Sequence, residues 1–311
     1  MMLRILFSAP TALWEEYRTP LRQALAEAGI AAEITTATEA PDEIDYVVFA
    51  PRGGLSDFSP FTRAKAVLSL WAGVETVTGN PTLTQPLCRM VDAGLEEGMV
   101  EWVTGQVLRH HLGLDRYICA TGPHWDQRVP PLARDRTVAV LGLGELGWVS
   151  ARALAALRFR VLGWSRTPRA LPGIECRHGT DGLRPVLEAA EILVLLLPRT
   201  PETEGLLDAE RLSWLPEGAV LLNPGRGALI DEAAVLAALD AGRLGHATLD
   251  VFQTEPLPPD HPFWQHPRVT VTPHVASETR PASASRVIAE NVRRAEAGEA
   301  LLFRVDRARG Y

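Results

Sequence analysis

Apolar runs four to six residues long recur along this chain, and between them lie stretches whose apolar positions return every three or four residues. Runs of the first kind suit strands buried on both faces, and stretches of the second kind suit the helices that cover them. Leu3 to Phe7 reads as a first strand, and Trp14 to Ala28 as an amphipathic helix closed by Gly29, a residue suited to the left-handed backbone beyond a helix C-terminus. Ala32 to Thr36, Tyr46 to Ala50 and Ala66 to Leu70 continue the series. The first hundred residues therefore predict one α/β unit with a parallel sheet.

A second series follows. Gly98 to His111 predicts an unbroken helix leading into a polar, proline-bearing stretch, Pro123 to Arg136. Thr137 to Leu141, Arg160 to Trp164, Glu191 to Leu197, Ala219 to Asn223, His246 to Val251 and Arg268 to Thr272 all read as strands, a Rossmann-type count. Val235 to Ala241 predicts a short helix before Gly242, and Pro281 to Gly298 a last one with Val287, Ile288 and Val292 on one face. Since the second set of strands is complete by then, this last helix is expected to return to the first domain. The expected organisation is α/β, with two Rossmann-like or flavodoxin-like parallel-sheet domains and an interdomain cleft. Residues 1–100 plus 275–311 would form the substrate domain, and residues 101–274 the dinucleotide-binding domain.

Composition narrows the function. The 311 residues are 46% hydrophobic and 22% charged, with a formal net charge of -7, the profile of a soluble globular protein without a nucleic-acid surface. Lys65 is the only lysine, so the other 30 of the 31 basic residues are arginines, which weakens any one arginine as a signal. Cys88, Cys119 and Cys176 are odd in number and widely spaced, a pattern that suggests neither a disulfide framework nor a thiolate metal site and fits a cytoplasmic setting. Residues 1 to 9 lack a cleavable signal pattern, and the aliphatic run Ile192 to Leu197 is far shorter than a membrane span. No metal, nucleic acid or membrane partner is expected.

The loop Gly142-Leu143-Gly144-Glu145-Leu146-Gly147 follows a buried-strand pattern and precedes a helix-forming stretch, Trp148 to Leu157. That context is what a dinucleotide fingerprint requires: one glycine for the turn, one for close approach of a pyrophosphate, one for helix-strand packing. Dinucleotide sites for NAD carry an acid about 20 positions further on, for the ribose 2′-hydroxyl. Here the segment is Gly163-Trp164-Ser165-Arg166-Thr167, with Ser165 in the acid's place. Arg166 can pair with a 2′-phosphate, with Ser165 and Thr167 as hydroxyl donors. NADP(H) is thus the expected cofactor, with NAD(H) possible.

Arg226, in Asn223-Pro224-Gly225-Arg226-Gly227, and His274, in Thr272-Pro273-His274, each lie just beyond a predicted strand, and Glu255 follows a loop after His246 to Phe252. Arginine grips a carboxylate, histidine moves a proton near neutral pH, and a carboxylate behind the histidine fixes its tautomer. Together they suit reduction of a carbonyl next to a carboxylate. The remaining histidines, His110, His111, His124, His178, His246, His261 and His266, have no comparable setting and read as structural.

These residues carry a family resemblance. The glycine loop, Leu196 to Thr203, Asn223 to Gly227, Leu249 to Phe252, and Glu255 to Pro258 with Thr272 to Val275 resemble the D-isomer-specific 2-hydroxyacid dehydrogenase family over essentially the whole chain. Trp164 to Thr167 and the terminal Val305 to Tyr311 are most similar to its glyoxylate/hydroxypyruvate reductase A branch. The resemblance implies that Arg226 binds substrate, His274 is the acid/base, Glu255 supports His274, Asp250 holds the nicotinamide carboxamide and Pro198 lines the cofactor site. It further implies that the amides of Ala72 and Gly73 hold the substrate carboxylate, and that the chain pairs as a homodimer. The expected activity is NADPH-dependent reduction of glyoxylate or hydroxypyruvate to the D-2-hydroxy acid. The competing readings are a non-catalytic dinucleotide sensor or corepressor on the same fold and a dehydrogenase for another substrate using NAD. One departure stands out: Pro224-Gly225 stiffens the arginine loop where the branch more often has Leu-Ala. Arg52 and Trp71 fall near the expected cleft without an assigned role.

Overall fold

A computed structural model of the chain describes residues 2–123 and 125–310, so His124 and Tyr311, the end of the terminal motif, lie outside the described residues. In chain order the elements are β1 (Leu3–Ser8), α1 (Thr11–Glu27), β2 (Ala32–Thr35), β3 (Tyr46–Phe49), β4 (Ala66–Ser69), α2 (Glu75–Thr78), β5 (Leu87–Cys88), α3 (Ala93–Leu112) and α4 (Asp115–Ile118). There follow β6 (Thr137–Leu141), α5 (Glu145–Ala156), β7 (Arg160–Ser165), β8 (Glu175–His178), α6 (Gly179–Ala189), β9 (Ile192–Leu195) and α7 (Ala209–Ser213). The series ends with β10 (Ala219–Asn223), α8 (Glu232–Asp240), β11 (Leu244–Leu249), β12 (Val269–Val271) and α9 (Pro281–Glu296).

The chain divides into two compact units, Met1–Leu95 with Glu278–Tyr311, and Glu96–Ser277. The first boundary falls inside α3, a helix with no sequence break at that point, and so lies a few residues before the expected one.

The first unit is a parallel sheet in the order β2-β1-β3-β4-β5. Its inner strands β1, β3 and β4 are mostly apolar and buried because both faces are covered. Ile5, Phe7, Tyr46, Val48 and Leu68 face one core with Tyr17, Leu21 and Leu25 of α1 and Ile288 and Val292 of α9. Leu6, Val47, Phe49 and Val67 face the other with Phe58, Phe61, Val77 and Val305. The buried residues of α1 recur at helical spacing, and beyond its end Gly29 at φ 73° lets Ile30 N donate to Leu25 O at 2.8 Å and Gly29 N to Ala26 O at 3.0 Å, the double bond that closes many helices. The two-residue strand β5 was too short to show in the pattern.

The second unit is a seven-stranded parallel sheet in the order β12-β11-β10-β9-β6-β7-β8. Leu141, Leu195, Leu221 and Leu249 pack on Leu183, Leu187, Leu212 and Val235, while Val138, Val140, Val161 and Val194 pack on Val103, Val107, Ala151 and Leu154. The sequence pattern predicts six strands here, and the structure has a seventh, β8. Its residues Glu175, Cys176, Arg177 and His178 are mostly exposed at the sheet edge, and an edge strand with a polar surface leaves no apolar alternation to read.

Since α9 fills the first unit's core from the far end of the chain, Ile288→Ala should cost about 2–5 kcal/mol of stability. Urea denaturation measures this, and a cost well under about 1 kcal/mol would show that the helix is not part of that core.

Candidate active site

The glycine loop joins β6 to α5. Gly142 holds φ 102°, and a side chain on it would meet the Leu196 carbonyl at 2.4 Å; one on Gly147 would meet the Gly142 carbonyl at 1.7 Å. At Gly144, the residue preceding α5, a side chain would meet nothing within 4 Å, and no side chain caps the helix. The amides of Glu145, Leu146 and Gly147 therefore open the helix with their donors toward the loop, the arrangement that receives an anion.

At the end of β7, Ser165 is buried and its hydroxyl donates to the Thr167 carbonyl at 2.7 Å, folding a tight turn with Arg166 and Thr167 exposed. No carboxylate side chain occupies Ser165 to Thr167. Pro198 lies beyond β9, and its carbonyl accepts from the Thr203 hydroxyl at 2.7 Å, so this loop is held from within.

Beyond β10, the side chain of Asn223 clamps the arginine turn: its Nδ2 donates to the Arg226 carbonyl at 3.0 Å and its Oδ1 accepts from Gly225 N at 3.2 Å. Gly225 packs on the Leu195 carbonyl, which a side chain would meet at 2.8 Å, and Gly227 packs still more closely on Phe252. This close approach accounts for glycine at 225. Arg226 is half-buried, and its Nη1 donates to the Gly225 carbonyl at 2.7 Å.

Glu255 and His274 meet. His274 Nδ1 lies 2.7 Å from Glu255 Oε2, and the other carboxylate oxygen accepts from Phe252 N at 3.0 Å. With Nδ1 on the carboxylate, Nε2 is the nitrogen left for chemistry, on a side chain half open to solvent. His274 holds a left-handed backbone at φ 54°, and its N–H is shared by the carbonyls of Asp250 at 2.8 Å and Thr272 at 3.0 Å.

Asp250 makes that geometry possible. Its carboxylate, 1% exposed, accepts from the Thr272 hydroxyl at 2.6 Å, Val275 N at 2.9 Å and Ala276 N at 3.0 Å. The sequence alone does not reveal this anchoring: an acid at a strand end is visible, but its backbone partners are 25 and 26 residues away. The clamp by Asn223 was likewise not foreseen, although asparagine two residues before glycine is a turn signal.

In the first unit, Ala72 and Gly73 form the turn between β4 and α2. Among the described residues neither amide carries a hydrogen bond.

Two other histidines form a separate network on the second unit. His110 Nε2 lies 2.9 Å from the Thr248 hydroxyl and His246 Nε2 2.9 Å from that of Thr270, with the two rings 4.8 Å apart. Asp115 joins them, bound by Arg109 at 2.6 Å. Burial pushes His110 down to about 3 and His246 to about 4, with nearby positive groups adding to it. Burial alone would raise Asp115, but Arg109 more than offsets that and holds it below the usual carboxylate range.

The fold and this site define a two-unit α/β protein with a dinucleotide-type loop and an arginine, a glutamate and a histidine at strand ends. Residues 105–276 match the model of the D-isomer specific 2-hydroxyacid dehydrogenase NAD binding domain. Among solved structures, the chain is similar to a D-isomer specific 2-hydroxyacid dehydrogenase from Xanthobacter autotrophicus in complex with NADPH and MES, at 40% identity and TM-score 0.91 over 99% of both chains. It is similar to an NADPH-dependent glyoxylate/hydroxypyruvate reductase from Sinorhizobium meliloti, in complex with NADP and sulfate, at 36% identity and TM-score 0.86 over 100% of this chain and 99% of that one. A family protein from Klebsiella pneumoniae matches at 32% identity and TM-score 0.78, over 99% of this chain and 98% of that one. The chain belongs to the D-isomer specific 2-hydroxyacid dehydrogenase family, is an oxidoreductase of that kind, and is similar to its glyoxylate/hydroxypyruvate reductase branch.

The buried histidines set a pH dependence. Their folded values lie below the ordinary one of about 6.5, so the unfolded chain takes up protons first as the pH falls. Their contribution to stability is complete above about pH 6.5 and is lost as the pH drops through about 4 toward 3. Thermal melts between pH 7 and pH 4 should show a shallower decline for His246→Gln than for the wild type. Identical slopes would contradict the buried, neutral imidazole.

Proposed function

We propose that the chain uses NADPH to reduce a small 2-oxo acid, glyoxylate or hydroxypyruvate, to the D-2-hydroxy acid. The observation that carries the reading is the 2.7 Å contact between Glu255 and His274, with Nε2 left over. When bound, the nicotinamide supplies the hydride. His274, with both ring nitrogens protonated, donates a proton from Nε2 to the carbonyl oxygen as negative charge develops there, while Glu255 holds the Nδ1–H and so orients the ring. Arg226 binds the substrate carboxylate and polarises the carbonyl. The turn amides of Ala72 and Gly73 are carboxylate donors.

The uncapped start of α5, with Gly144 leaving open space, fits a pyrophosphate on the amides of Glu145, Leu146 and Gly147. The close approaches of Gly142 and Gly147 to backbone atoms keep that loop in place. At the β7 end, Arg166 would take the 2′-phosphate with the Ser165 and Thr167 turn beneath it, and NAD(H) would bind less well. Pro198 lines the nicotinamide side. Asp250 meets the carboxamide only with whatever hydrogen-bonding capacity its three present partners leave.

We assign the pairing of chains to the segment after α3. Among the described residues, seven of twelve exposed large apolar ones lie between Leu112 and Leu132, including Trp125 at 94% and Val129 at 87% exposure. A surface this apolar is costly unless covered, and a second copy of the chain is its proposed cover. The cytoplasmic assignment rests on three cysteines that are all free. No helix among the described residues is long and apolar enough to cross a membrane.

The reading is tested by following NADPH and NADH oxidation with glyoxylate, hydroxypyruvate and pyruvate. Consumption of NADPH with glyoxylate or hydroxypyruvate is expected, and no consumption of either cofactor with any of the three would refute it. Arg166→Ala should raise the KM for NADPH by about tenfold or more while changing that for NADH little; equal effects would remove the 2′-phosphate contact. Sedimentation should give a dimer that Ile118→Asp with Val129→Asp converts to monomer, and a monomeric wild type would dispose of the proposed interface.

A further inference from the structure

Among the described residues, four other than glycine hold a left-handed backbone: Arg52 at φ 67°, Arg158 at 71°, His274 at 54° and Phe303 at 52°. Such a conformation is unfavourable for a residue with a side chain and persists where the surroundings require it. Arg158 is required to close α5, since Phe159 N donates to Leu154 O at 3.2 Å and Arg158 N to Ala155 O at 2.9 Å. Phe303 is required beside the bridge between Cys88 and Arg304, where its carbonyl accepts from Arg89 N at 3.1 Å. His274 is required to meet Glu255. Arg52 is the third residue of the turn Ala50 to Gly53, which the Gly53 N–H closes on the Ala50 carbonyl at 3.3 Å with Pro51 at its second place, a turn position that takes a positive φ and so holds this arginine outward in one conformation.

Its place in the fold is informative. Arg52 lies three residues beyond β3, and the order β2-β1-β3-β4-β5 reverses between β1 and β3. Open α/β sheets bind ligands at such a reversal, beyond the carboxyl ends of the strands. The next residue, Gly53, is pressed onto the turn after β1: a side chain there would meet Ala9 Cα at 2.6 Å and the Ser8 carbonyl at 2.7 Å. The β3 turn is thus clamped to the β1 turn, with the Arg52 side chain exposed and, among the described residues, without an ion pair or hydrogen bond.

The neighbouring strand presents a second exposed side chain on the same edge. Phe49 of β3 pairs with Ser69 of β4, and two residues beyond Ser69 stands Trp71, 39% exposed. Its backbone is fixed on both sides: Trp71 N donates to the Ser69 hydroxyl at 3.0 Å, and its carbonyl accepts from that hydroxyl and from Met90 N, each at 3.0 Å. A large ring on a rigid turn, left open to water, directly precedes Ala72 and Gly73.

We propose that Arg52 and Trp71 form a tail site for the substrate, in which Arg52 receives a second anionic group, carboxylate or phosphate, and Trp71 is the wall along which the intervening carbons lie. A guanidinium binds either anion through paired, charge-assisted hydrogen bonds, and an indole face covers hydrocarbon. In a chain with net charge -7, capture of a doubly anionic acid depends on such local cations. The assignment rests on the preceding reading that Ala72 and Gly73 take the 2-oxo acid's own carboxylate. It extends the substrate class from glyoxylate and hydroxypyruvate, which lack a second anion, to 2-oxo acids that bear one beyond the keto carbon.

The test compares kcat/KM, with NADPH, for glyoxylate, oxaloacetate and phosphohydroxypyruvate in the wild type, Arg52→Gln and Arg52→Gly. Glycine relaxes the left-handed backbone while removing the same charge, so it keeps the comparison sound if the glutamine variant folds poorly. Both variants should lose at least about tenfold more on a dianionic acid than on glyoxylate, mainly through KM. Whichever of the two dianionic acids loses more identifies the group that Arg52 takes. Equal losses on all three substrates would overturn the tail site, as would a wild type that reduces glyoxylate and neither dianionic acid. A wild type that reduces no 2-oxo acid would refute the parent reading, and the tail site with it.

Discussion

The candidate site depends on one buried carboxylate. Asp250 is almost wholly removed from water, yet three donors, from Thr272, Val275 and Ala276, converge on it. A buried charge is tolerated only when it is paired or hydrogen-bonded this fully. The three bonds in turn hold the chain beyond β12, while the Asp250 carbonyl receives the N–H of His274. The left-handed backbone of His274 is unfavourable by about 1–2 kcal/mol, and this set of bonds offsets it. The Asp250 carboxylate thus holds the residues on either side of His274, from which the imidazole reaches Glu255.

The same logic of packing backbone on backbone recurs at each strand end. Gly142 on Leu196, Gly225 on Leu195 and Gly227 on Phe252 bring adjacent turns closer than a side chain would permit. Loops that close together along the carboxyl edge of a parallel sheet leave little room for drift, and catalytic geometry tolerates little. Arginine is abundant enough here to be uninformative as a residue type. Arg226 is distinguished by a turn that Asn223 clamps from both sides, and Arg52 by an exposed place on a clamped turn where the strand order reverses.

Much of this was legible in the sequence, for a physical reason. Strands buried on both faces are largely apolar, so β1, β3, β4, β6, β7 and β10 stand out, and Gly142 and Gly147 of the glycine loop sit where a side chain would strike backbone. The order of Arg226, Glu255 and His274 was visible, and Glu255 and His274 do meet. What escaped the reading lacks an apolar signature or depends on distant partners. The edge strand β8 is polar, β5 has two residues, and the boundary inside α3 interrupts no helical pattern. The anchoring by Asp250 depends on amides more than twenty residues away, which no local motif encodes.

Proton donation by the held imidazole is the step on which the proposed reduction depends. Single-turnover oxidation of NADPH by glyoxylate, followed for the wild type, Glu255→Gln and His274→Gln, measures it most directly. His274→Gln should lose about 10²–10⁴-fold in rate while still binding NADPH, with Glu255→Gln falling between it and the wild type. A His274→Gln enzyme that turns over at the wild-type rate would contradict proton donation by His274.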